Sequence, residues 1–254
     1  AFGVGLVIVG GIRSIARVTE KVVPFMAAIY LVGCATILTF NAEAIPFAVD
    51  AIFTGAFAPE SIAGGALGVM ILGFQRAVFS NEAGIGSATI AHSAVRTEHP
   101  VSEGFVALLE PFIDTVVICS ATSLVIVSTL YYEPEFFASG LGGVEMTSAA
   151  FERNVGWSPT VVTLAAILFA FSTMLSWSYY GLKGWTYLVG EGRGRALAFN
   201  GVFCLFVALG CMVKLQSILD FSDALVFVLC VPNILGMIVL APVVRRELEA
   251  YRSR

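Results

Sequence analysis

Six long apolar runs constrain this chain more than any other feature. They lie near 22–41, 62–95, 103–130, 159–182, 196–214 and 223–244, after a partial run at 1–11. A helix needs about 20 mostly apolar residues to cross a bilayer, so runs of this length predict spanning helices. Composition supports the prediction: 58% of the residues are hydrophobic and 13% charged, with a mean hydropathy of +0.90. A soluble domain carries about 25% charged residues. The apolar excess is more than a soluble core could enclose at this size, and must face lipid. The expected fold class is an all-α polytopic membrane protein. The stretch 45–58, IPFAVDAIFTGAFA, is too short to span and predicts an amphipathic or re-entrant segment.

Basic residues set the expected orientation. If the run starting at 22 leads outward, the inner segments hold Arg13, Arg17, Lys21, Arg96, Lys183, Arg193, Arg195, Arg245, Arg246, Arg252 and Arg254, against Arg153 and Lys214 outside. Such an excess of Lys and Arg belongs on the cytoplasmic side, which places the C-terminus there. The longest external loop, 131–158, carries Glu133, Glu135, Glu145 and Glu152 with Tyr131, Tyr132 and Trp157 at its edges, and is expected to be solvated. Cys34, Cys119, Cys204, Cys211 and Cys230 each sit in an apolar stretch without CxxC spacing and are expected to be small core residues. No charged leader precedes the opening AFGVGLVIVGG, and the chain is expected to be a fragment.

The chemistry concentrates at 74–93, FQRAVFSNEAGIGSATIAHS, where Ser80-Asn81-Glu82-Ala83-Gly84-Ile85-Gly86-Ser87 interrupts an apolar run. Glycines let a helix unwind, and the carbonyls and amides so freed need partners. In secondary transporters, substrate and coupling ion are those partners. A glycine-rich packing face is the simpler alternative, although Asn, Glu and Ser together in mid-span fit it poorly. Glu82 either serves the site or pairs with Arg76, six positions earlier. A second cluster lies in EGFVALLEPFIDTVVICSATS, residues 103–123. Glu110 and Asp114 share a helix face there, with Thr115, Thr122 and Ser123 extending a polar stripe. Asp114 either joins an ion site or supports the broken helix. Ser172, Thr173 and Ser176 form a third cluster, followed by Trp177 and Tyr180; their hydroxyls either ligate an ion or bond back to their own helix. His92 and His99 have no partner at metal-ligand spacing, and no GxSxG, HExxH or P-loop pattern occurs. Glu110 and Asp114, one turn apart on one helix, make poor opposed acid and base groups. An enzyme is not expected, nor an organic cofactor or nucleic-acid partner.

The runs RAVFSNEAGIGSATIAHSA, HPVSEGF, EPFIDTVVICSATSLVIV and GGIRSIARVTEKVVPFMAAIYL resemble the alanine or glycine:cation symporter family across nearly the whole chain. The resemblance implies a leucine-transporter-type bundle of two inverted five-helix repeats that carries alanine or glycine with sodium through the cytoplasmic membrane. Residues 1–11 would end core helix four, 22–41 would be helix five, and 62–95, 103–130, 159–182, 196–214 and 223–244 would be helices six to ten. It implies that Phe79, Ser80, Asn81, Glu82, Gly84, Ile85, Gly86, Ser87 and Trp177 line the substrate site. Ser172 and Thr173 would be the paired hydroxyls on sodium, with Ser80 and Asp114 as further candidate oxygen donors. The first half of such a protein, with its own broken helix, would be the missing partner. A proton-coupled carrier, or a non-transporting sensor or channel on the same scaffold, is the alternative.

Overall fold

The computed structural model describes residues 1–57, 66–131 and 142–253. In chain order the helices are α1 (Phe2–Ile8), α2 (Ile12–Phe40), α3 (Ile45–Phe57), α4 (Ala66–Asn81), α5 (Ser87–His92) and α6 (Pro100–Ala107). A helical turn at Leu109–Pro111 and a π-helix at Phe112–Cys119 lead into α7 (Ser120–Leu130). There follow α8 (Gly143–Asn154), α9 (Pro159–Val189), α10 (Arg193–Gly210) and α11 (Leu215–Arg252). Among the described residues, five helical stretches are long and apolar enough to cross a membrane: Ile12–Phe40, Pro100–Leu130, Pro159–Val189, Arg193–Gly210 and Ser217–Arg252. Large apolar side chains such as Phe206, Ile238 and Val239 are 66%, 66% and 74% exposed, as helix faces turned to lipid require. The chain is a nearly all-helical, polytopic membrane protein.

Two compact units are present, one formed by Ala1–Gly11, Leu72–Thr115 and Ser176–Arg254, the other by Ile12–Ile71 and Val116–Leu175. In the second unit, α2 buries Ile15, Met26, Tyr30, Cys34 and Ile37. The last four recur every three or four residues, a stripe on one helix face. That stripe meets Val125 and Leu130 of α7, Ala150 and Phe151 of α8, and Val162 and Ala165 of α9. Gly33 is part of the fit, since a Cβ there would stand 2.9 Å from Phe151 Cε1. Polar groups in this unit are tied off locally: the Tyr30 hydroxyl meets Thr122 Oγ1 at 2.6 Å, and Asn154 bonds to Asn41 and Thr129. In the first unit α1 packs on α10, with Gly5 letting the Cys204 sulfur approach, and Gly181 of α9 admits the Phe199 ring of α10. Small residues allow such close helix approach where lipid offers no competing hydrophobic drive.

Two expectations change. Residues 132–141 of the 131–158 segment, with Tyr132, Glu133 and Glu135, lie outside the described residues, as do 58–65 at the start of the 62–95 run. The rest of that segment is not simply a solvated loop: α8 buries Thr147, Ala150 and Phe151 on one face while Glu145 and Glu152 take others. Of the cysteines only Cys34 is buried, Cys119 and Cys211 are exposed, and Cys204 and Cys230 lie between. Lipid is as good an apolar solvent for a thiol as a protein core, so apolar sequence context does not separate the two.

Candidate functional site: a broken helix

The helix that begins at Ala66 stops at Asn81, and helix resumes at Ser87. The residues between explain why. Gly84 and Gly86 take φ of +85° and +92°, and Glu82 takes +56°, the left-handed region that L side chains resist. Asn81 Oδ1 accepts from the Ala83 amide at 3.1 Å, so its side chain replaces the helical bond that the turn removes. At the far side Thr89 Oγ1 donates to the Gly86 carbonyl at 2.6 Å.

Side chains from two other elements of the same unit reach this break. Ser80 Oγ donates to Asp114 Oδ2 at 2.6 Å, and Asn81 Nδ2 donates to Thr115 Oγ1 at 3.2 Å. Both acceptors sit in the π-helix that follows Pro111, which lacks an N–H and so cannot continue regular helical pairing. Such wide turns recur at functional sites. From α11, Asn233 Nδ2 donates to the Gly84 carbonyl at 2.9 Å. Ile85 and Ser87 are buried; among the described residues Ser87 Oγ makes no hydrogen bond of ordinary geometry, although the Glu82 carboxylate is close enough to act on it. A buried hydroxyl without a well-formed hydrogen bond is costly, and at a helix break it marks a place where a ligand oxygen, ammonium or cation would gain a contact.

The structure thus brings Ser80 and Asp114 into contact and groups Asn81, Glu82, Gly84, Ile85, Gly86 and Ser87 in one turn. Phe79 is 40% exposed beside them, and Trp177, in the same unit, packs edge-on against Tyr180 with ring centroids 5.9 Å apart. One pairing is corrected. Arg76 does not meet Glu82; its Nη2 bonds Asp223 Oδ2 at 2.6 Å, and Gln75 Nε2 reaches the same oxygen at 3.4 Å. Asp223 is buried and needs a countercharge, so it takes Arg76 ahead of Glu82, which the left-handed backbone carries elsewhere.

Ser172 and Thr173 belong to the second unit. Ser172 is buried, and its hydroxyl donates to the Phe169 carbonyl at 2.9 Å and faces Met26 Sδ at 3.8 Å, while Thr173 is exposed. A hydroxyl that donates its proton to a carbonyl keeps its oxygen lone pairs for another partner, so this bond and cation binding are compatible.

Three contributors were not singled out in the sequence. Asn233 stands alone in an apolar run, and Asp223 opens that run just after Asp220 and Ser222. Glu103 accepts from or donates to His92 Nδ1 at 2.6 Å, with Glu110 at 3.1 Å from His92 Nε2. A carboxylate and an amide within a spanning helix were the available signal for the first two. Among the described residues no group of three His, Cys, Asp or Glu side chains could hold a metal ion.

A "Uncharacterized transporter" of Haemophilus influenzae is 36% identical over 99% of this chain and 55% of its own length. The sodium/alanine symporter AgcS of Methanococcus maripaludis is 37% identical over 97% of this chain and 54% of its own length. The probable sodium/glutamine symporter GlnT of Bacillus subtilis is 32% identical over 97% and 51%. The chain spans about half the length of these curated relatives, which are transporters, not enzymes. The model of the sodium:alanine symporter family matches residues 1–254 throughout, and the chain belongs to that family.

Proposed function

We propose that this chain serves sodium-coupled symport of a small neutral amino acid, alanine or glycine, across the cytoplasmic membrane. The observation that carries the reading is the break at 82–86, with its left-handed turn and the buried Ser87 hydroxyl. In this reading residues 79–87 and Trp177 line the substrate site. Its amides and hydroxyls face the carboxylate and ammonium of the amino acid. Sodium is a co-transported substrate. Ser172 and Thr173 offer it hydroxyl oxygens, the hard donors such a cation takes, and Asp114 with Ser80 offers a second set. The relative named for alanine supports the substrate class; the one named for glutamine makes that amino acid the competitor to exclude.

The arrangement of helices follows the same proposal. With α2 as the fifth helix of one repeat, α4–α5, α6–α7, α9, α10 and α11 form an inverted second repeat of the leucine-transporter type. Eleven basic residues on one side against two on the other support a cytoplasmic C-terminus.

Uptake of labelled alanine, glycine and glutamine into proteoliposomes tests this, using the full-length protein that contains this sequence, with and without an inward sodium gradient. Alanine or glycine accumulation that follows the gradient is expected, and Thr173→Ala is expected to raise the sodium concentration for half-maximal uptake about tenfold, the scale of one charge-assisted contact. Uptake indifferent to sodium and driven by a proton gradient would replace the proposal with the proton-coupled alternative.

A further inference from the structure

The last helix meets the broken one at two heights and the segment after it at a third. Asp223 pairs with Arg76, Asn233 with Gly84, and Tyr251 lies edge-on to His99 and tilted against Phe105, with ring centroids 6.0 and 6.2 Å apart. Residue numbers rise together along both, so the two run parallel. Between Asp223 and Arg245, Asn233 is the only amide, hydroxyl or charged side chain. An amide in such a run is costly unless bonded, and its nitrogen is bonded while its oxygen packs on the break. Nδ2 donates to the Gly84 carbonyl, while Oδ1 lies where a Cβ on Gly86 would come within 3.0 Å. Pro232 directly precedes it and removes one backbone bond from α11, as Pro242 does further along, so the helix is softened beside this contact.

We propose that Asn233 is a positioning residue of the transport site. It satisfies the Gly84 carbonyl in place of ion or substrate, and it holds the left-handed backbone of 84–86 that delivers the buried Ser87 hydroxyl. The role in transport rests on the function proposed above; the clamp itself does not. Of the carbonyls freed by the break, Gly84's is therefore already taken, and a bend of α11 at Pro232 would release it.

The test uses the full-length protein in lipid nanodiscs and proteoliposomes, with Asn233→Ala and the bulkier, apolar Asn233→Leu. Hydrogen exchange is followed over 80–92, with α10 as internal reference, alongside alanine KM and kcat. Loss of this one partly buried hydrogen bond is expected to speed exchange at 82–86 about tenfold in both variants, with α10 unchanged. Alanine KM is expected to rise by a similar factor, with kcat changing less. Native exchange and KM in both variants would overturn the proposal, as would a Leu variant that behaves like the native protein, because bulk alone would then suffice. If neither variant folds, Gly86→Ala presses on the same amide from the other side; the same two shifts are expected, and native values for both would overturn the clamp. Should the native protein show no sodium-driven uptake, the transport reading fails, while the exchange data still decide the clamp.

Discussion

Truncating Phe151 to alanine empties the middle of the second unit's core. The ring is 0% exposed, stacked on Tyr30 at a centroid distance of 6.1 Å. Deleting a buried Phe side chain costs about 3–5 kcal/mol. The site has little capacity to collapse, because Gly33 beneath the ring has no side chain to move into the void. About 4 kcal/mol is therefore the expected loss, part of it the ring–ring geometry worth about 0.5–1.5 kcal/mol. The same cluster contains a reporter, Cys34, which is 1% exposed. With the other four cysteines replaced, labelling of Cys34 by a thiol reagent reads local opening of this core. At about 1.4 kcal/mol per factor of ten, Phe151→Ala should speed that labelling close to a thousandfold. A rate within threefold of native would refute the placement of α8 in the core.

The two glycines of the break should differ. Gly84→Ala meets open space and costs about 1–2 kcal/mol of left-handed strain, whereas Gly86→Ala adds a 3.0 Å encounter with Asn233, so its melting point should fall further. For the Arg76–Asp223 pair, Arg76→Ala leaves a buried carboxylate with only the long Gln75 contact, while the double change Arg76→Leu with Asp223→Leu leaves none. Because Arg76 is 45% exposed, the single change should cost about 1–2 kcal/mol rather than the larger figure for sealed pairs. Thermal unfolding in detergent should show the double variant as the more stable; the reverse order would mean that the pair itself stabilises the fold.

The break was legible because glycines and small polar residues in mid-span have few structural uses. The break at 82–86 falls inside the Ser80–Ser87 run that interrupts the apolar pattern. Asp114 and Thr115 were legible as a polar stripe, yet the π-helix that carries them was not, because Pro111 announces a disturbance without fixing its type. Arg76 was harder to place: proximity in sequence offered Glu82, while its partner Asp223 stands 147 residues away. In α8 Glu145 and Glu152 suggest a solvated segment, and the buried set Thr147, Ala150 and Phe151 shows only as a spacing of three and four. That period was present in the sequence, masked by charge on the opposite faces.

The last helix has 38 residues, which at 1.5 Å per residue makes it about 57 Å long, nearly twice the thickness of the bilayer's hydrocarbon. Its far end lies about 30 Å beyond Pro232, so a bend of only ~10° there would carry Tyr251 sideways by about 5 Å. Tyr251 rests on His99 and Phe105, just past the second half of the broken helix, while Asn233 holds the break itself. A lever pinned at both its fulcrum and its tip cannot swing without letting go of one pin. Any rocking of this helix must therefore be felt either at the turn of 84–86 or at the segment around His99, and a distance probe on Arg252 would magnify the smaller of the two events.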